Sequence, residues 1–167
     1  MRNLIFVVFV EPVAEGQVFP RTDWPLHITL VRFDAASTDS ADAAERLAGL
    51  AEAPAAAALG AALAVGEDAA FGRNGSVPVS LIAPHPVLQT LHEAFVQAVT
   101  AVHGRILTPA HTLSAYRPHV SHHGDKRLNQ GDAVVLDRVA LVDMAPGGDH
   151  SVRHVLRLWS LGVDSRR

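Results

Sequence analysis

The feature that most constrains the fold is the apolar run Leu4 to Val10, seven residues closed abruptly by Glu11-Pro12. A spanning helix needs about 20 such residues, and a secretory signal needs a longer core and a small-residue cleavage site. The segment 3–10 (NLIFVVFV) is rich in β-branched and aromatic side chains, which suit a pleated, packed surface. It therefore reads as a buried central strand, around which the rest of a sheet must be built.

The remaining punctuation sets the element order. Residues 11–23 contain Pro12, Gly16 and Pro20 and read as a loop. Residues 26–33 (LHITLVRF) alternate and predict a second strand. A helix is expected over 39–53: Asp39 or Ser40 can cap it, Asp42 and Glu45 suit its positive end, Leu47 and Leu50 supply its apolar side, and Pro54 follows it. Strands are expected over 57–65 and 77–82, separated by Phe71-Gly72-Arg73-Asn74-Gly75, whose Asn-Gly pair suggests a tight turn. The clearest helix covers 86–103, with Pro86 at its first position, the stripe Leu88, Leu91, Phe95, Val99 and Val102, and Gly104 as a left-handed stop. Strands follow over 116–122, 133–144 and 152–161, the last two joined by Ala145-Pro146-Gly147-Gly148. The order β, β, α, β, β, then α, β, β, β, favours an α+β fold with antiparallel sheets. A length of 167 residues predicts one domain, 1–167.

Composition narrows the chemistry. The chain has no cysteine, so disulfides, thiolate metal sites and a cysteine nucleophile are excluded, and a reducing cytosol is the expected compartment. Its formal charge of −3 argues against gripping long nucleic acid through many phosphates, while a pocket for one phosphate is compatible with it. Ten histidines are the unusual count. Two of them lie in matching contexts on predicted strands, one per half: His27-Ile28-Thr29 and His119-Val120-Ser121. Residues i and i+2 of a strand share a face, so each segment presents an imidazole beside a hydroxyl. Two such pairs across a pocket would suffice for phosphodiester chemistry. One neutral histidine takes a proton from the attacking oxygen, the other protonates the leaving oxygen, and the hydroxyls hold the non-bridging oxygens. No metal or cofactor is needed.

The segments HITL and YRPHVS, with the elements around them, resemble the two-histidine (2H) phosphoesterase superfamily, in particular its 2′-5′ RNA ligase-like group, over most of the chain. The resemblance implies a bilobed, pseudo-twofold arrangement of two antiparallel sheets, with helices packed outside and a central groove. It implies opening of 2′,3′-cyclic phosphates on RNA ends or nucleotides, or 2′-5′ ligation. By position, His27 and His119 become the acid–base pair, and Thr29 and Ser121 the phosphate holders. Arg117 shares the parity of His119 and is a further candidate for a phosphate oxygen. Tyr116 and Trp24 are candidates for stacking on a base. His85, His92, His103, His150 and His154 are expected at the surface or at helix ends. The expected partner is a cyclic nucleotide phosphate or an RNA end, with no membrane and no obligate protein partner, and the protein is expected to be a monomer. Two rivals stand beside this reading. One is a non-catalytic nucleotide or RNA-end binding module on the same fold. The other is a metal-dependent hydrolase built on His111, His119, His122, His123 and Asp125, although His119 and His122 should face opposite sides of a strand.

Overall fold

The computed structural model describes residues 2–35 and 40–161. Its strands are β1 (Arg2–Phe9), β2 (Val18–Pro20), β3 (His27–Ala35), β4 (Ala62–Phe71), β5 (Val77–Ile82), β6 (Arg105–Ile106), β7 (His119–Ser121), β8 (Ala133–Val135), β9 (Arg138–Asp143) and β10 (Val152–Ser160), and its helices are α1 (Ser40–Ala58) and α2 (Pro86–Ala101). The strands pair antiparallel in the order β2-β10-β9-β1-β3-β7-β5-β4-β8, with β6 added to β3. This is the expected α+β architecture. The strands of the two halves meet edge to edge at one short pairing, Ile28 opposite Val120.

The apolar run lies in the middle of the first half, with β3 on one side and β9 on the other. Its unbroken apolarity follows from having two covered faces. Leu4, Phe6 and Val8 join the main core with Phe33, Phe95 and Leu88, beneath the helices. Ile5, Val7 and Phe9 join a second core on the opposite face, with Phe19, Trp24 and Val142. The helix α2 packs on β3 and on α1 through the predicted stripe, of which Leu88, Leu91, Phe95 and Val99 are buried.

Several boundaries differ from expectation for physical reasons. The helix α1 runs through Pro54 to Ala58 instead of stopping before it. Ala55 and Ala58 are buried against the core, and alanine's helix propensity helps offset the backbone hydrogen bond that proline removes. Gly60 then takes φ 101°, and β4 begins at Ala62, so residues 57–61 are not strand. The capping expectation at Asp39, and those on the Ser40 and Asp42 side chains, fall outside the described residues. At the end of α2 it is His103 that adopts the left-handed φ of 60°, not Gly104. Gly104 serves close approach instead: a Cβ there would sit 2.8 Å from Val99 Cγ1 and 3.2 Å from the Asp34 carbonyl oxygen. The strand expected over 116–122 shrinks to His119–Ser121, since Leu113–Ala115 form a 3-10 turn and Pro118 has no N–H to give a ladder. The stretch 133–144 divides because its first part pairs with β4 and its second with β1 and β10.

Candidate active site

The site follows from one register. With Ile28 opposite Val120 on antiparallel strands, His27 lies across from Ser121 and Thr29 across from His119. Ile28 and Val120 are both fully buried in the main core. Strand alternation therefore turns all four polar side chains to the other face, where each is half-buried. The pairing that joins the two halves is thus the pairing that brings the two motifs together.

Both imidazoles are held in the same way. His27 Nδ1 lies 2.9 Å from the Pro25 carbonyl oxygen, and His119 Nδ1 lies 2.8 Å from that of Arg117. Each partner is the residue two positions earlier in the chain. A carbonyl only accepts, so Nδ1 carries the proton and donates in each ring. That leaves Nε2 of both rings as the lone-pair nitrogen available for proton transfer. Trp24 packs on His27 with ring centres 4.3 Å apart, and Phe9 meets it edge-on at 6.1 Å. Phe71 meets His119 edge-on at 4.5 Å. Burial lowers the His27 pKa to about 4, with small further contributions from the nearby His123, His119 and Lys126. Burial also pushes His119 below its ordinary value, and the neighbouring Arg117 adds to this. Both rings are therefore neutral at pH 7 in the free protein, and a bound phosphate anion would raise them.

The two histidines open onto one cavity of about 510 Å³. Thr29, Tyr116, Arg117 and Trp24 share its lining with them; Ser121 is not part of it. The Arg117 guanidinium carbon stands 4.9 Å from the centre of the Phe71 ring, so the cation lies at the His119 end of the cavity. Trp24 is only 7% exposed and is enclosed by Phe9, Phe19 and His27, which makes it a backing for the His27 ring. Tyr116 is engaged as well: its hydroxyl donates to the Thr29 carbonyl at 2.8 Å, and burial raises its pKa.

Two contributors lie beyond strand parity and composition, although the family resemblance does imply a basic residue, Arg32, shortly after the first motif. The first is a β-bulge. Between Phe6 and Val7 the β1–β3 register jumps from Val31 to Thr29, leaving Leu30 as the extra residue. Strict alternation would set Val31 on the face of His27 and Thr29. The bulge instead turns Arg32 to that face, opposite Ile5, and both Arg32 and Ile5 line the cavity. The second is His92, expected at the surface or a helix end but fully buried. Its Nδ1 donates to the Leu30 carbonyl of the bulge at 2.7 Å, so Nε2 is free to accept the Leu113 N–H at 2.8 Å. The ring stacks on Tyr116 at 3.9 Å and 4°. His92 therefore ties β3 to the 108–117 wall, whose His111, Thr108 and Thr112 also face the cavity. Leu113 holds a left-handed φ of 58° to make that bond.

The histidines of the metal reading do not all converge: His111 and His119 share the cavity, and His122 is turned away from it. His122 turns to the face opposite His119, as strand parity requires. There its Nε2 donates to Ser80 Oγ at 2.8 Å, while the Ser80 proton goes to the Leu128 carbonyl. The backbone of His123 bridges to Lys126. Among the described residues no group of three or more His, Asp or Glu could hold a metal ion. No helix among them is long and apolar enough to cross a membrane.

The groove lined by His27, Thr29 and His119 lies on an α+β scaffold, and comparison with known proteins defines the class. The sequence profile of the 2′-5′ RNA ligase superfamily matches residues 10–143, and the chain belongs to that superfamily. Solved structures share the fold over almost the whole chain. A crystal structure of a phosphoesterase superposes with TM-score 0.59 at 16% identity, covering 96% of this chain and 98% of that one. Escherichia coli LigT complexed with 3′-AMP gives TM-score 0.58 at 15% identity, covering 96% and 98%. The protein TT0787 of Thermus thermophilus gives 0.51 at 17%, covering 95% and 97%. No curated protein matches the chain.

Proposed function

We propose that this protein is a metal-independent phosphoesterase that opens 2′,3′-cyclic phosphates on nucleotides or RNA ends. The observation that carries the reading is the Ile28–Val120 register, with both imidazoles tied through Nδ1 to the carbonyl two residues back. Two rings with matched tautomers and free Nε2 atoms on one cavity form an acid–base pair. His27, neutral through burial, serves as the base: its Nε2 takes a proton from water as the water oxygen bonds to phosphorus. His119, protonated in the presence of the phosphate anion, gives its Nε2 proton to the departing ribose oxygen as the P–O bond breaks. The product is a ribose phosphomonoester with one free hydroxyl. Thr29 and Arg117 hold the non-bridging oxygens, on which charge builds. Ser121, on β7 opposite His27, is a further holder once substrate draws its hydroxyl toward the phosphate. Ligation to a 2′-5′ linkage is the same chemistry with a ribose hydroxyl as the other reactant.

The test is a panel of 2′,3′-cyclic mononucleotides and cyclic-phosphate-ended RNA, with product position read by chromatography, for wild type and His27→Ala. Turnover lost by orders of magnitude in the variant, with binding retained and no sensitivity to chelator, is the expected result. Binding without turnover in either protein would mark a sensor, and loss of activity on chelation would mark a metal enzyme.

A further inference from the structure

The arginines of this chain divide by partner. Arg2, Arg105, Arg127, Arg138 and Arg157 are each paired with a carboxylate at 3.3 Å or less. Arg21, Arg32 and Arg153 form no ion pair among the described residues, yet the fold brings Arg21 and Arg32 near Arg153, and of the three it is Arg32 that lines the cavity. Arg153 pairs in register with Phe19 across β10 and β2, and the Arg21 N–H donates to the Ser151 carbonyl one step along the same ladder. Phe19 belongs to the core on the cavity side, so alternation sets Arg153 and Arg21 on that side too. Arg32 reaches it through the bulge at Leu30.

Arg153 is fixed in place. One of its terminal nitrogens donates to the carbonyls of Met144, His150 and Val152 at 2.6, 3.0 and 3.1 Å. Its Nε is buried with no hydrogen-bond partner among the described residues. Burial, and then the like charges of Arg21 and Arg32, push its pKa below the ordinary value. Asp34, the carboxylate beside Arg32 on β3, is already taken by Arg105. Three converging cations without a counter-charge are costly, and a bound anion would relieve that cost.

The location sets the kind of anion. The Arg153 guanidinium carbon lies 5.7 Å from the centre of the Trp24 ring, and the His27 ring centre lies 4.3 Å from the same point, so cation and imidazole are at most about 10 Å apart, the sum of the two. Trp24, whose ring both groups approach, lines the cavity together with Met144 and Arg32, while Arg153 stands behind that lining. We propose that this end of the cleft is a second anion subsite, which holds a phosphate one nucleotide unit away from the phosphorus that reacts between His27 and His119. The substrate class is then a cyclic phosphate whose nucleoside carries a further phosphate on its 5′ side. This refinement rests on the function proposed above.

The experiment compares kcat/KM for a nucleoside 2′,3′-cyclic phosphate with and without a 5′-phosphate, in wild type, Arg32→Gln and Arg153→Gln. In parallel, calorimetry compares binding of a nucleoside 3′,5′-bisphosphate and a 3′-monophosphate, which needs no turnover. One charge-assisted contact predicts that the second phosphate raises both kcat/KM and affinity by on the order of tenfold or more. Either substitution should bring that ratio toward one. A cyclic-phosphate-ended dinucleotide presents the same group, and its gain relative to the 5′-phosphorylated mononucleotide distinguishes an RNA end from a free nucleotide as the source. Turnover with equal kcat/KM for both substrates overturns the subsite. Preferential bisphosphate binding that depends on Arg32, without turnover of any substrate, upholds the subsite and overturns the phosphoesterase reading. Should Arg153→Gln fail to fold because three carbonyls lose their donor, Arg32→Gln carries the test, since Arg32 is exposed and among the described residues bonds only to Asn3.

Discussion

His27→Gln should flatten the acid dependence of folding stability. In the unfolded chain His27 titrates near 6.5, while burial in the folded protein lowers it to about 4. Between those values the unfolded chain binds a proton that the folded site refuses, so stability falls as pH falls through this window. Above pH 6.5 both states are neutral and the contribution is complete; below about 4 both are charged and nothing further is lost. Going from pH 7 to pH 5 crosses most of the interval and should cost up to about 2 kcal/mol, at 1.36 kcal/mol per pKa unit. Glutamine has no charge to refuse and can keep a donor near the Pro25 carbonyl. Urea unfolding followed by circular dichroism at the two pH values reads the difference. His92, His119 and His122 are also lowered by burial and contribute to both proteins alike, so the comparison isolates His27. With a typical urea slope, the wild-type midpoint should drop by about 1 M more than that of the variant. Equal drops in the two proteins would refute the desolvation argument for this ring.

Two further perturbations probe the scaffold. Gly104→Ala forces a methyl to within 2.8 Å of Val99 Cγ1 and against the Asp34 carbonyl, and should cost about 1–3 kcal/mol in thermal or urea unfolding. The φ of Gly104 is not in the left-handed region, so the clash and not backbone handedness sets this cost. His92→Ala removes the partners of the Leu30 carbonyl and the Leu113 N–H and the face on which Tyr116 stacks. It should destabilise by about 2–4 kcal/mol and speed amide exchange in the 108–117 segment, whereas a merely space-filling role would leave that exchange unchanged.

Much of the fold was legible because its signals are local. The unbroken apolarity of β1, the stripe of α2 and the parity of the two His-x-Thr/Ser segments each follow from backbone periodicity. Strand parity also separated His122 from His119 in advance. What stayed hidden was decided by tertiary contacts. Pro54 looked like a helix stop, but core burial of Ala55 and Ala58 carries α1 past it. The bulge at Leu30 depends on the β1–β3 register, which no single strand encodes, so the turning of Arg32 into the cleft could not be read from alternation. Buried His92 is on the apolar side of α2, next to Leu91, where its two backbone bonds replace the water it would otherwise need. The stacking roles expected of Trp24 and Tyr116 rest on residue type alone. In the structure those rings are committed to His27 and His92.

The most direct test of the two-imidazole account is the pH–rate profile of cyclic-phosphate opening from pH 4 to 9 in wild type, His27→Gln and His119→Gln. The account predicts a bell for the wild type, with rates roughly 10²–10⁴-fold lower in each variant. It further predicts that the residual activity of His27→Gln loses the acidic limb, and that of His119→Gln the alkaline limb. A wild-type profile that is flat across this range, or variants that keep both the rate and the bell, would contradict it.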